Sequence, residues 1–321
     1  MGKKKGINGM KKYAFGVDVG GTTCKIGFFE TNGTLLDKWE IKTNTANNGE
    51  SILSDVAHAV DNKLAQEGIS KDDVQGIGLG VPGPVNSNGV VSGCVNLGWG
   101  VLNVEEELGK LTGLKIKAGN DANVAALGEM WQGGGKGHQD VVMVTLGTGV
   151  GGGVIVNGKM VAGFHGAGGE IGHITVSDDE IEACNCGSYG CLEQYTSATG
   201  IVRVTKRKLA KSNEETTLRK YENLTAKDVF DEAKAGDAVA LDLVDEVCGI
   251  LGKALSNIAC VVDPEVIVIG GGVSKAGDIL IDTIQKHFVE TAFHACRETV
   301  FSLAGLGNDA GMYGCVKMLL D

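Results

Sequence analysis

The densest chemistry in the chain lies between His173 and Cys191, where one imidazole and three thiols, Cys184, Cys186 and Cys191, fall in a single short segment ending in CNCGSYGC. One histidine and three cysteines make a complete tetrahedral ligand set for Zn2+. Four protein ligands leave no open position, so such a metal would hold a loop and not activate water. A chance cysteine cluster, or a redox pair at Cys184 and Cys186, would use the same residues. Glu170 lies just before His173 and Glu193 just after Cys191. A bound metal would draw these two carboxylates together as fixed acceptors for the hydroxyl groups of a ligand, a task that penalises any ligand leaving them unpaired.

A second polar pair, Asn120-Asp121, falls where the strand-like KIKAG ends and the helical pattern ANVAALGE begins. Helix capping by either residue is a sufficient reason for it. A carboxylate at a strand end, between the two halves of the chain, is also where phosphoryl transfer needs a base to take a hydroxyl proton, and Asp121 is the favoured residue. Glycine turns supply the rest. Bare backbone at Gly20, Gly21 and Thr22, and again around Thr148, lets N–H groups and threonine hydroxyls approach phosphate oxygens closely. Tight hairpins would need the same residues for turning alone.

Other glycine motifs do not hold. Gly78, Gly80 and Gly83, and Gly147, Gly149 and Gly152, match the dinucleotide fingerprint, which needs a helix after its glycines. Pro82 and Pro84 break the first, and the strand-forming VIV follows the second. The segment from Gly153 to Lys159 approaches a P-loop, but its spacer VIVN forms strand and Met160 stands where a hydroxyl is required.

The elements that must position these groups are punctuated by glycine, with 51 glycines against 3 prolines, grouped after apolar runs where they mark tight turns. YAFGVDV, CKIGFF and LLDKWEIK, the last entered through Asn32-Gly33, read as three antiparallel strands. Residues 51–67 have helical spacing with Gly68 as the stop; VQGIGLGV, the helix VEEELGKLTG and the strand KIKAG follow. After the helix ANVAALGEMW the pattern restarts with the strand DVVMVTL, the glycine turn GTGVGGG, the strand VIV and the hairpin continuation NGKMV. Matching strand, glycine turn, strand units at 18–22 and 147–153 predict a pseudo-symmetric pair of domains facing one cleft. Residues 194–263 are mostly helical in pattern, EVIVIGGG gives a last strand and glycine turn, and DAGMYGCVKMLL a final helix.

Bulk properties bound the answer. At 321 residues the chain exceeds what one core usually serves, and its 43% hydrophobic content suffices for two. A net charge of -11 gives no general attraction to phosphate backbones or anionic lipid, so the expected partner is a small molecule, with no nucleic acid and no membrane. No run reaches the ~18 apolar residues of a spanning helix, and MGKKKGINGMKK lacks the apolar centre of a signal peptide, which points to a cytoplasmic protein. The lysines of that start read as a solvated arm without function. Cys24, Cys94, Cys248, Cys260, Cys296 and Cys315 sit singly and read as packing.

Taken together, DVGGTT, GLGVPGPV, GNDANVAALGE, TLGTGVGGG, GEIGH, CNCGSYGCLEQY and DPEVIVIGGGVS closely resemble the ROK family of sugar kinases and sugar-responsive repressors. The resemblance implies a two-domain α/β fold of the actin-like and hexokinase (ribonuclease H-like) type, ATP phosphates between the glycine hairpins, sugar in the interdomain cleft, and a structural Zn2+. On that basis residues 1–121 form a small domain, completed by a returning helix at 307–321, and residues 122–306 a larger domain with the zinc loop. It implies Asn120, Asp121, Glu170, His173 and Glu193 as sugar contacts, Asp121 as base, and His173 shared between zinc and sugar. DVGGTT and Gly147-Thr148-Gly149 would hold phosphate, Mg2+ would arrive with ATP, and Gly271 and Gly272 belong to the adenosine-side turn. Lys25 matches no defined family role. A homodimer is the family-based expectation.

Among substrates, glucose phosphorylated at its 6-hydroxyl leads, because GNDANVAALGE, GEIGH and CGSYGCLEQY most resemble the family's bacterial glucokinases. A kinase for N-acetylmannosamine or fructose, or a catalytically silent sugar sensor, is the alternative. The few residues before the first strand leave no room for the helix-turn-helix of the family's repressors.

Overall fold

A computed structural model describes residues 10–321; the lysine-rich start, residues 1–9, lies outside the described residues. β1 (Tyr13–Val19), β2 (Thr23–Glu30) and β3 (Leu35–Lys42) form an antiparallel meander. The short turn α1 (Ala46–Gly49) leads into α2 (Ile52–Glu67). Gly68, in the left-handed region at φ 64, closes that helix by donating its N–H to Leu64 and Ala65. β4 (Val74–Val81) then pairs parallel with β1. A small hairpin of β5 (Val90–Val91) and β6 (Leu102–Asn103) precedes α3 (Val104–Thr112), and β7 (Ile116–Asn120) completes a five-stranded sheet of order β3-β2-β1-β4-β7.

After α4 (Asp121–Gln132) the same topology is drawn again. β8 (Val141–Leu146), β9 (Val150–Val156) and β10 (Lys159–Met160) form the second meander. A long helical insertion follows, made of the single turn α5 (Glu193–Thr196), α6 (Ala198–Lys211), α7 (Ala226–Lys234) and α8 (Ala238–Val262). β11 (Val266–Gly270) pairs parallel with β8, and after α9 (Asp278–Thr291), β12 (Val300–Leu303) pairs parallel with β11. The resulting order, β10-β9-β8-β11-β12, is that of the first sheet strand for strand, so the repeat expected from the two glycine turns is present in the architecture.

Both sheets are covered on both faces, which is why their central strands read as nearly continuous apolar runs. In the first, Phe15, Val17, Ile77 and Leu79 meet Ile52, Val56 and Val60 of α2. The opposite face is glycine-rich and receives α10 (Ala310–Leu320). In the second, Val142, Val144, Ile267 and Ile269 meet the helical insertion, while Val141, Met143 and Val268 meet Ala126, Leu127 and Met130 of α4. α4 and α10 pack on each other, so the layers run sheet, helix, helix, sheet. Among the described residues no helix is long and apolar enough to cross a membrane.

Two expectations need correction. The glycines are not all turn residues: Gly151, Gly152 and Gly153 lie inside β9, and the turn is confined to residues 147–149. A Cβ on Gly153 would fall 2.4 Å from that of Ala126, and one on Gly78 1.9 Å from the Cys315 carbonyl oxygen, so these glycines let helices lie directly on the sheets. Cys260 is not a packing residue either. It is exposed on α8, whereas Cys24, Cys94, Cys248, Cys296 and Cys315 are buried.

Candidate active site

Parallel pairing sends the carboxyl ends of β1, β4 and β7 to one edge of the first sheet, and those of β8, β11 and β12 to one edge of the second. Open α/β sheets bind ligands at such edges. On the first edge the chain turns through residues 20–22, closed by the Gly20 N–H on the Thr23 carbonyl at 3.0 Å and by the Thr43 hydroxyl on the Gly20 carbonyl at 2.7 Å. Gly21 and Thr22 stay exposed. On the second edge the Gly147 N–H donates to the Gly149 carbonyl at 3.0 Å, leaving Thr148 exposed at the tip. Gly271 follows β11 at φ 83, where an added Cβ would lie 2.5 Å from the Leu146 carbonyl oxygen, so the backbone conformation and the close approach both demand glycine. Gly272 beside it is exposed.

The Asn120-Asp121 pair divides two tasks. Asn120 is the cap: its side-chain oxygen accepts the Asn123 N–H at 3.1 Å, and its amide donates to the Gly83 carbonyl at 3.2 Å. Asp121, the first residue of α4, is thereby released from capping and accepts the neighbouring Ala122 N–H at 2.8 Å. Burial pushes the Asp121 carboxyl above its ordinary value; the Ala122 N–H opposes this and the Glu170 charge adds to it. Asp18, at the end of β1, is pushed up to about 6 by burial, with Lys25 pulling back and Asp121 pushing further. Lys25 faces Asp18 across the β1–β2 pair and donates to the Asn308 carbonyl at 3.3 Å. Asp121 therefore lies within electrostatic reach of both Asp18 and Glu170. Asp18 opens the DVGGTT segment, but the sequence gives it no role of its own, since there it is only a lone carboxylate near the end of an otherwise apolar strand.

His173, Cys184, Cys186 and Cys191 place their ligand atoms within 4.8 Å of one another. Cys186 Sγ lies 3.6 Å from Cys191 Sγ, and Cys184 Sγ 3.9 Å from His173 Nδ1. A tetrahedral Zn2+ with bonds of ~2.3 Å to sulfur and ~2.0 Å to nitrogen separates its ligands by about 3.5–3.8 Å, so the donor set fits that ion. With Nδ1 on the thiols, His173 Nε2 points the other way, 4.0 Å from Glu170 Oε2. The loop turns on Gly190 at φ 70, where a Cβ would fall 1.8 Å from the Ser177 carbonyl oxygen.

Glu193 joins this cluster to the second glycine hairpin. Cys184 Sγ donates to its Oε1 at 3.1 Å and the Val150 N–H to its Oε2 at 3.3 Å. The start of α6 grips the same hairpin, with the Ala198 N–H on the Gly147 carbonyl at 2.8 Å and the Thr199 hydroxyl on the Thr148 carbonyl at 2.7 Å. Asn123 performs a similar service for the loop that carries Glu170, its amide holding the Gly168 carbonyl at 2.9 Å, two residues before that carboxylate. Neither Thr199 nor Asn123 stood out in the sequence, because each is defined by a partner dozens of residues away. Beside Gly272 a cavity of 300 Å3 opens between Phe230, Thr225 and Ala226 on one side and Val273, Lys275 and Ala276 on the other.

Two sheets of repeated topology, joined by crossing helices and each carrying a glycine hairpin at one edge, define the two-domain actin-like and hexokinase fold class. Within it, this chain belongs to the ROK family, whose model matches residues 14–321. It is 46% identical over 308 residues to a glucokinase from Halalkalibacterium halodurans, covering 94% of this chain and 93% of that one. It is 35% identical over 314 residues to a glucokinase from Thermotoga maritima, covering 95% and 96%. A solved ROK family glucokinase from Streptomyces griseus, in complex with glucose and AMPPNP, superposes with a TM-score of 0.72 at 33% identity, covering 95% of this chain and 98% of that one.

Proposed function

We propose that this protein transfers the γ-phosphoryl group of ATP to the 6-hydroxyl of glucose, with Asp121 as general base. The observation that carries the reading is Asp121 itself: freed from capping by Asn120, pushed up by burial and by Glu170, and placed at the sheet edge that also carries the first glycine hairpin. The glucokinases of H. halodurans and T. maritima, and the glucose and AMPPNP held by the S. griseus enzyme, support the substrate pair.

In this reading Asn120, Glu170, His173 Nε2 and Glu193 hold the sugar hydroxyls and Asp121 meets the reacting one. The phosphates lie between residues 20–22 and 147–149, whose N–H groups and threonine hydroxyls stabilise charge on the transferring group. Adenosine takes the cavity beside Gly271 and Gly272, a volume suited to a nucleoside. As the sugar oxygen bonds to phosphorus and ADP departs, its proton passes to Asp121. Asp18, at that edge, is a carboxylate that would face Mg2+ arriving with ATP, an ion that would supply charge neutralisation. Zn2+ on His173 Nδ1 and the three cysteines would fix the His173 ring with Nε2 toward the sugar. Positioning carries much of the rate in such transfers.

The test is ADP formation with glucose, fructose, mannose, N-acetylmannosamine and N-acetylglucosamine, for wild type and Asp121→Ala. Turnover with glucose is expected, falling by about 10² to 10⁴ in the variant with its circular dichroism unchanged. Turnover with a different sugar would correct the substrate. No turnover with any would overturn the kinase reading.

A further inference from the structure

We propose that Glu180 is a metal-independent clamp that docks the cysteine loop onto α6 and slows release of its metal. The inference rests on the zinc reading of His173, Cys184, Cys186 and Cys191, but concerns residues outside that set. Between residues 177 and 190 nearly every side chain is exposed; only Glu180, Cys184 and Gly190 are buried. Ile181, the one large aliphatic side chain of the stretch, is 86% exposed. The segment therefore has no apolar core to keep it in place, and besides backbone bonds it has two side-chain anchors: the metal, through Cys184 and Cys186, and the carboxylate network led by Glu180.

The second anchor is unusually well made. The Glu180 side chain is 1% exposed. Its Oε2 accepts Arg203 Nη2 at 2.6 Å, Arg207 Nη1 at 2.9 Å and the Tyr195 hydroxyl at 2.8 Å; its Oε1 accepts Arg207 Nη2 at 3.0 Å and the Glu182 N–H at 3.0 Å. Glu182 extends the network outward, to Arg203 Nη1 at 3.1 Å and Arg207 Nη2 at 2.8 Å. Arg203 also lies over the Tyr195 ring, 5.5 Å from its centroid. The guanidinium groups, Arg207 foremost, hold the Glu180 carboxyl well below the usual carboxylate range. A buried carboxylate this fully satisfied fixes geometry, because taking away one partner strands charge in the interior.

The clamp bears on the metal through the backbone. Glu180 lies four residues before Cys184 in the chain. At the far end of the loop, the Gln194 amide donates to the Glu182 carbonyl at 2.9 Å and the Cys191 N–H to Gln194 Oε1 at 3.0 Å. The stretch from Cys184 to Cys191 is thus closed by bonds the protein makes alone. A ligand that lets go of the ion stays where it can rebind, and a metal-free loop keeps its place.

The experiment measures zinc release from the purified, zinc-loaded protein to an excess of the chromogenic chelator 4-(2-pyridylazo)resorcinol, followed by chymotrypsin cleavage at Tyr189 of the chelated product. Glu180→Gln, which keeps the shape and removes the charge, should release zinc at least tenfold faster than wild type, and its chelated form should be cut while chelated wild type resists. Arg207→Lys, a milder variant that loses the two-pronged contact, should release about threefold faster. Equal release rates and equal cleavage across the three proteins would overturn the clamp. Wild type that carries no zinc as purified and takes up none would instead sink the metal reading beneath it; kinase turnover, measured separately, bears on neither result.

Discussion

Glu129 offers a sharp test of how the two halves are tied. It is fully buried on α4, at 0% exposure, and its charge is met by backbone alone: Oε2 accepts the N–H groups of Gly134 and Gly305, each at 2.8 Å, and Oε1 that of Leu306 at 2.9 Å. Gly134 follows α4, and Gly305 and Leu306 belong to the return from β12 toward α10. One carboxylate therefore pins both places where the chain passes between the sheets. In Glu129→Gln the amide keeps its oxygen where two N–H groups converge, and its NH2 then faces the Leu306 N–H, donor against donor. One orphaned buried donor costs about 1–3 kcal/mol, and the two surviving bonds lose their charge assistance, so the sum is about 2–4 kcal/mol. With an unfolding entropy of ~2.1 cal/mol/K per residue, a chain of this length gives ~0.7 kcal/mol/K, and the melting midpoint should fall by about 3–6 °C. Thermal melts by circular dichroism at neutral pH read this directly. A midpoint within 1 °C of wild type would refute the reasoning, since it would mean the three N–H groups do not depend on the carboxylate.

Gly314→Ala should be among the most damaging small changes, because its Cβ would fall 1.5 Å from the Val124 carbonyl oxygen where α10 crosses α4. A loss of about 3 kcal/mol or more is expected in urea denaturation, whereas Gly109→Ala, with its nearest neighbour at 3.7 Å inside α3, should be neutral or gain up to ~1 kcal/mol. For pH, the Asp121 carboxyl is raised, so kcat/KM for the sugar should drop on a single-proton acid limb lying above the ordinary value of 3.8, and Asp121→Asn should lack that limb. For stability, Asp18 is raised from 3.8 to about 6 in the fold, so the folded state binds its proton more tightly and stability is lost as pH climbs through that interval. Asp18→Asn should therefore melt higher than wild type at pH 7, by about 1–3 kcal/mol, with the advantage vanishing near pH 4.

What could be read in the sequence was whatever chemistry is local. The cysteine cluster announced itself by spacing, and the strand, glycine, strand units announced the repeat because a hairpin is specified by its own residues. The glycines at the start of β9 read as turn residues for the opposite reason, and those of β4, read as strand, carry no sign of their purpose: Gly78 is empty because Cys315 passes over it, and Gly153 because Ala126 does. Nothing near them in sequence says so. Asn120 and Asp121 were ambiguous as two equally good caps until the Asn123 N–H chose Asn120. Asp18, Thr199 and Glu180 share a further obstacle. A carboxylate or hydroxyl becomes informative only once its surroundings are known, and theirs are assembled by pairing between strands and by docking onto α6.

The segment from Cys191 to Thr199 shows why the proposed sugar side and the proposed phosphate side of the cleft should not be treated as separable. Cys191 belongs to the candidate metal set, Leu192 is buried, and Glu193 accepts the Val150 N–H. Within one turn Ser197 caps α6 by accepting the Gly200 N–H at 2.9 Å, and Ala198 and Thr199 hold the carbonyls of Gly147 and Thr148. With those carbonyls occupied on the α6 side, the orientation of the hairpin is set by the same few residues that hold Glu193. Hydrogen bonds of about 3 Å tolerate displacements of only a few tenths of an ångström before they weaken. A disturbance at the cysteine loop must therefore reach the 147–149 turn, and its kinetic signature should include the nucleotide as well as the sugar.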